Sequence, residues 1–201
     1  MSRTKGKPDH FARQARREGY PARSVYKLQE LHEKHGLIER TDAVLDLGAA
    51  PGSWSKFALE IVGAQGRVVA VDLSRVTLQV KPGNDFCFLE GDFFDPEITS
   101  RLSSLGPYDV VLSDAAPSTT GNALVDTARS FEIAERALSI GYKTLKPGGR
   151  LLVKLFQGGG ERDFVGTARA LFQTVRVCKP KASASNSREV YILGLGRRRS
   201  T

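Results

Sequence analysis

Short apolar runs alternate with helix-spaced apolar residues along most of the chain. From residue 43 the strand-like runs AVLDLG, RVVAVDLS, FCFLEGDFF, YDVVLSDAAP and RLLVKLF are separated by polar or amphipathic segments. In SWSKFALEIVG, Trp54, Phe57, Ala58, Ile61 and Val62 fall on one helical face and Gly63 ends the helix. A helix of about 15 residues is predicted through ARSFEIAERALSIGYKTL, followed by the turn KPGG. Another is predicted around ERDFVGTARALFQ, before two last strand-like segments, TVRVCKP and EVYILGLG. Upstream, Pro21 is placed to open a helix carrying Ala22, Val25, Leu28 and Leu31 at helical spacing, with Gly36 to end it. Continuous apolar strands alternating with helices predict an α/β fold with a mostly parallel sheet covered on both faces.

At 201 residues, 40% hydrophobic, the chain fits one globular domain. There is no internal repeat and no domain-sized linker. Residues 1–19 are expected to form a basic, partly mobile arm, 20–196 the domain, and 197–201 a basic tail. No signal peptide and no apolar run of about 18 residues is present, so a soluble cytoplasmic protein away from membranes is expected. Cys87 and Cys178 lie in apolar runs without metal or redox spacing and read as buried thiols in a reducing compartment. His10, His32 and His35 show no metal spacing, so no metal is expected.

Charge adds a partner to this picture. Residues 1–27 hold eight Lys/Arg against two Asp/Glu, and 176–201 hold seven against one, while the middle is net acidic. Two basic ends on a neutral-to-acidic core are what a polyanion surface requires, if the fold brings the ends together. Solvated tails would give the same counts, and an acidic membrane would call for an amphipathic basic helix that the chain lacks.

In a parallel α/β sheet, ligands bind at the carboxyl ends of the strands where the chain order reverses. There the first strand ends in LDLGAAPGSWS, whose Gly48 and Gly52 let backbone approach a ligand ahead of a helix N-terminus. It is neither a G-x-G-x-x-G loop nor a P-loop. Asp72 ends the second strand, where a carboxylate accepts from ribose hydroxyls, and Asp92 ends the third, where it could accept from an adenine amino group or cap a loop. Trp54 serves equally as a core residue with its indole N–H satisfied nearby. The fourth strand ends at Asp114, and the fifth carries Lys154 among apolar neighbours. A lysine there is costly unless it is paired or its amine is put to use.

Together LDLGAAPGSWS, VDLS, GDFF, LSDAAP, LLVKLF, SREVYILG and ARSVYKLQEL resemble the FtsJ-like (RrmJ or RlmE) methyltransferases of RNA ribose 2'-hydroxyls, from about residue 11 to 196. The resemblance implies a Rossmann-like class I methyltransferase with a seven-stranded sheet and S-adenosyl-L-methionine (AdoMet) as cofactor. It implies a catalytic set of Lys154, Lys27, Asp114 and Glu189, and AdoMet contacts from Gly52, Trp54, Asp72, Asp92 and Asp114. It further implies a uridine of 23S ribosomal RNA in the large subunit as substrate and a monomeric protein; some homologues modify transfer RNA. Ser53 departs from the Gly-Gly-Trp of many relatives but keeps a small residue.

The chemistry asks for such residues. The cofactor's methyl is already electrophilic, so the task is activating the hydroxyl, and a lysine does this through its neutral amine. Lys154 is the expected base, with Lys27, Asp114 and Glu189 orienting or tuning it. RNA phosphate contacts are expected from Arg13, Arg16, Arg17 and Arg23, and from Lys179, Lys181, Arg188 and Arg197 to Arg199, because the family fold is expected to place both ends beside the cleft. The loop QGGGERD could admit an RNA backbone or be a turn for its own sake. Rival functions are a nicotinamide-dependent oxidoreductase, disfavoured by the GAAPG loop and the two lysines, and a non-catalytic ribosome-assembly factor, which would lack one of these residues.

Overall fold

The runs that are apolar on both faces form the centre of a sheet. In the computed structural model, which describes residues 10–183 and 187–199, β1 (Ala43–Leu47), β2 (Arg67–Asp72), β3 (Asp85–Glu90), β4 (Tyr108–Ser113) and β5 (Leu145–Phe156) pair in parallel. β6 (Phe172–Cys178) and β7 (Glu189–Arg197) complete seven strands in the order β3-β2-β1-β4-β5-β7-β6, with β7 antiparallel to both neighbours. The expected α/β fold, seven-stranded and mostly parallel, is present. Residues 1–9, 200 and 201 of the expected arm and tail lie outside the described residues.

Alternate strand residues feed two cores. Val44, Val110, Leu112 and Leu152 pack with α1 (His10–Arg17), α2 (Val25–His35) and α3 (Ser53–Val62). Leu45, Leu47, Val111 and Val153 pack with α4 (Pro96–Ser104), α5 (Ala123–Thr144) and α6 (Glu161–Leu171) on the opposite face. The sheet reverses direction of winding between β1 and β4, so the crevice at their carboxyl ends is the switch point where ligands bind in such sheets.

The differences from expectation have local causes. α2 starts at Val25 rather than at Pro21, because backbone groups just before it bond to α3 instead: Ala22 N–H donates to Ser53 Oγ at 2.7 Å, and the Ser24 carbonyl accepts from the Trp54 indole N–H at 2.9 Å. His10–Arg17 is helical within the segment expected as an arm, held by Ala15, which is 1% exposed. α4 was not anticipated, although Asp95 caps it by accepting from Glu97 N–H and Pro96 stands at its first turn. The α5 helix is 22 residues long, capped by Asn122. Cys87 and Cys178 are free thiols that are half-buried rather than buried, because β3 and β6 are the edge strands of the sheet. No helix among the described residues is long and apolar enough to cross a membrane.

Trp54 is 2% exposed, so replacing it by Phe keeps most of the packing but strands the Ser24 carbonyl. Trp54→Phe is expected to lower stability by about 1–2 kcal/mol, seen as an earlier urea midpoint with unchanged slope. An unchanged midpoint would mean that this bond does not hold α2 to α3.

Candidate active site

The glycine loop is shaped by what crowds it. Gly48 has φ +75°, and a Cβ there would lie 2.5 Å from the Ala115 Cβ, so any side chain would drive β1 and the loop after β4 apart. Gly52, at φ +106°, lets the loop turn into α3 beneath Val76 and Leu78, which a Cβ would meet at 2.9 and 2.7 Å. Asp72 clamps this loop from β2, accepting from Ala50 N–H at 2.9 Å through Oδ2 and from Ser74 N–H at 2.8 Å through Oδ1. Each oxygen keeps a lone pair for a ligand. Asp92 likewise accepts from Phe94 N–H at 2.9 Å.

Between these elements lies a cavity of about 520 Å³, lined by Gly48, Asp72, Asp92, Phe93, Phe94 and Asp114 among others. That is the size of a small-molecule site. Three of the five residues expected to hold the cofactor therefore share one cavity wall. Gly52 and Trp54 do not line it. The Trp54 side chain is in the core, its ring centroid 5.8 Å from that of Tyr191, leaving its backbone in the first turn of α3 as its ligand-facing part.

Beside the cavity, Asp114 and the three other charged groups expected at the site meet as two ion pairs on the α1–α3 face of the sheet. Lys154 is 8% exposed, and its Nζ donates to Asp114 Oδ1 at 2.9 Å and to the Asp114 carbonyl at 2.5 Å. Lys27 and Glu189, 9% and 8% exposed, pair at 2.6 Å. Lys27 comes from the first turn of α2 and Glu189 from the first residue of β7, which pairs with Phe156 at the end of β5. Burial pushes the Glu189 carboxyl up, but the Lys27 hydrogen bond and charge outweigh it and hold it below its ordinary 4.5, with Lys154 adding to the pull.

Tyr191 is a participant that the sequence did not single out. Its O–H donates to Asp114 Oδ1 at 2.7 Å, so one carboxylate oxygen serves both Tyr191 and Lys154. Burial first, then the charges of Asp114 and Glu189, raise the Tyr191 phenol well above 10, which keeps it a neutral donor. A tyrosine in an apolar strand reads as core, and no spacing signal could have distinguished it.

The chain matches the FtsJ-like methyltransferase family over residues 20–197. The chain belongs to that family. The ribosomal RNA large subunit methyltransferase E of Treponema denticola is 47% identical over 188 residues, 94% of each chain. Its namesake from Desulfosudis oleivorans is 44% identical over 200 residues, 98% of this chain and 96% of the other. Among solved structures, a ribosomal RNA methyltransferase from Plasmodium falciparum has the same fold, with a TM-score of 0.72 at 24% identity over 89% of this chain and 98% of that one.

In this FtsJ-like chain one expectation about charge fails. β7 runs antiparallel to β5, so Glu189 is at the site and Arg197 is at the opposite edge of the sheet. Arg197 donates to the Tyr142 carbonyl and lies over its ring at 4.6 Å, and Arg198 donates to the Phe172 carbonyl. The residues Arg197 to Arg199 therefore do not extend the basic surface beside the cleft; the first two fasten the far end of the fold. Lys179, Lys181 and Arg188 precede β7 and stay on the site's side, Arg188 donating to the Ala123 carbonyl and Thr127 Oγ1 at the start of α5. Arg13, Arg16 and Arg17 are exposed on α1, which is tied to α2 through Tyr26 O–H to Glu18. Among the described residues no group of His, Cys, Asp and Glu could hold a metal ion.

Removing Lys27 leaves Glu189 buried without its partner. Lys27→Met is expected to cost about 3 kcal/mol at neutral pH. Because the Glu189 carboxyl is held below 4.5, the pair's contribution is present above that value and is lost as pH falls through the lowered one. Urea unfolding at about pH 7 and pH 3 checks this; a Lys27→Met deficit of equal size at both values would contradict the ionised pair.

Proposed function

We infer that this protein transfers a methyl group from AdoMet to a ribose 2'-hydroxyl of RNA, that of a uridine in the 23S RNA of the large ribosomal subunit. The observation that carries this reading is the juxtaposition of a buried lysine, gripped by Asp114, with a glycine-walled cavity at the carboxyl edge of the strands. Family membership and the names of the relatives supply the substrate class, and they favour neither the transfer-RNA nor the non-catalytic alternative.

The residues present fit an adenosyl cofactor. A Cβ at Gly48 would close the space between the loop and Ala115, Asp72 retains acceptor capacity for ribose hydroxyls, and Asp92 stands beside the aromatic wall of Phe93 and Phe94. Asp72 would hold the ribose and Asp92 the adenine amino group, with Asp114 nearest the reacting end. Gly52 and Trp54 contribute the start of α3. When bound, AdoMet supplies a methyl group on a positively charged sulfur.

The chain's own residues handle the proton. We assign Lys154 as the general base: its ammonium first gives a proton to solvent, and the neutral amine then takes the proton from the 2'-oxygen. Its amine is aimed by two contacts to Asp114, whose carboxylate Tyr191 holds in turn. Lys27 and Glu189 neutralise each other at the cleft edge, so the pair can orient the substrate ribose by hydrogen bonds without adding net charge. Arg13, Arg16 and Arg17 with Lys179, Lys181 and Arg188 provide phosphate contacts, and binding should weaken steeply with salt. The working form is a monomer acting on ribosomal RNA within the large subunit, in the cytoplasm.

Lys154→Ala is expected to bind AdoMet within about twofold of the wild type while methylation falls about a hundredfold or more, the scale of general-base loss. Turnover retained at wild-type rate would remove Lys154 from the role. Deleting the gene and mapping 2'-O-methylation is expected to lose a single 23S uridine site; a site lost only from transfer RNA would redirect the substrate.

A further inference from the structure

Asp46 is the one carboxyl in the sheet interior that the chemistry above does not use. It is 0% exposed in β1, two residues before Gly48, and its register partners are Ala70 in β2 and Leu112 in β4. Two residues beyond those partners come Asp72 and Asp114. Parallel partners point to the same face and side chains repeat every second residue, so Asp46 lies one pleat period beneath the line on which Asp72, Gly48 and Asp114 stand. Asp46 thus lies buried beneath the cofactor site, outside the lining of its cavity.

Its own bonding is incomplete. Oδ2 accepts from Ser55 Oγ of α3 at 2.6 Å, while Oδ1 has no side-chain or ladder partner among the described residues. The groups facing it are Asp72 from β2, Asp114 from β4 and Ser55 from α3. The nearest lysine on the sheet, Lys154, is bonded to Asp114, and Lys56 on α3 is turned to the Gly19 carbonyl and the Tyr20 ring. Burial above all, then the Asp114 and Asp72 charges, push Asp46 up to about 7 against the opposing Ser55 bond. A buried carboxyl with two anionic neighbours and no cation of its own among the described residues is a place that a positive charge would complete.

We propose that Asp46 is the specificity-determining group by which the site prefers a sulfonium-bearing cofactor to its uncharged thioether product. Its carboxylate stabilises the cation above it, and it binds a proton from solvent once that charge is gone. This rests on the AdoMet reading above. The cofactor and its product S-adenosylhomocysteine (AdoHcy) share the same adenosine and amino-acid skeleton, so the difference between wild type and Asp46→Asn in the ratio of their affinities isolates the response of this carboxyl to the charge on sulfur, the titration of the ligands' own amines cancelling. Because a bound cation disfavours protonation of Asp46, AdoMet must by reciprocity bind more tightly as pH rises through about 7, and release a proton to buffer when it binds below that value.

The test is calorimetric titration of the full-length protein with AdoMet and with AdoHcy from about pH 5.5 to 8.5. The affinity for AdoMet relative to AdoHcy is expected to rise about tenfold across the range, the scale of one partly screened charge pair. Asp46→Asn should flatten the rise. Ser55→Ala removes the side-chain bond that lowers Asp46, leaving the Ser55 backbone bond, and should move the midpoint upward with the rise intact. If Asp46→Asn does not fold, the Ser55→Ala shift and a carbon-13 titration of the Asp46 carboxyl, displaced downward by AdoMet but not by AdoHcy, decide the matter. Tight AdoMet binding with an affinity ratio that does not change with pH would overturn the role of Asp46 and leave the cofactor standing. No AdoMet binding at any pH would overturn the cofactor reading itself.

Discussion

A charged amine in an apolar strand must be paired, and Lys154 is paired with the one carboxylate that a parallel sheet could bring to it, that of Asp114 on the adjacent strand. The rest of the site follows from that constraint. The carboxylate is fixed from the other side by Tyr191, and Glu189, at the end of the same strand as Tyr191, needs a cation that β-strands alone do not provide. Lys27 provides it from α2. A lysine buried for chemistry thus recruits two more elements of the fold.

That recruitment explains why the segment before α2 matters. Its backbone is bonded to Ser53 and Trp54, the first residues of the helix that follows the glycine loop. The cofactor loop and the helix carrying Lys27 are therefore positioned by the same turn of α3. The Ser53 hydroxyl makes one of the two bonds of that connection.

Much of this was legible because strand ends in a parallel sheet are functional positions. Asp72, Asp92, Asp114 and Lys154 could be placed from apolar runs and their last residues alone. Lys27 and Glu189 could not: a lysine on a helix and an acid before a strand are ordinary surface residues, and only the likeness to a family singled them out. Tyr191 was hidden by its hydrophobic body, and Asp46 by a position that looks like one polar residue inside a strand. The misplacement of Arg197 to Arg199 has a different origin. Nothing in the residues of β7 reveals that it runs against its neighbours, and that direction alone decides which end of the strand lies at the site. The helix α4 was missed in spite of its Asp95-Pro96 start, because its apolar face is only Ile98 and Leu102.

Lys154 is the group assigned to meet the reacting hydroxyl. A crystal structure of the protein with AdoHcy and an RNA fragment containing the target uridine measures this directly. The account predicts the 2'-oxygen within about 3.2 Å of Lys154 Nζ, with the amine still bonded to Asp114. A target ribose seated in the cleft with its 2'-oxygen beyond hydrogen-bond reach of Lys154, and closer to Lys27 or Glu189, would contradict it.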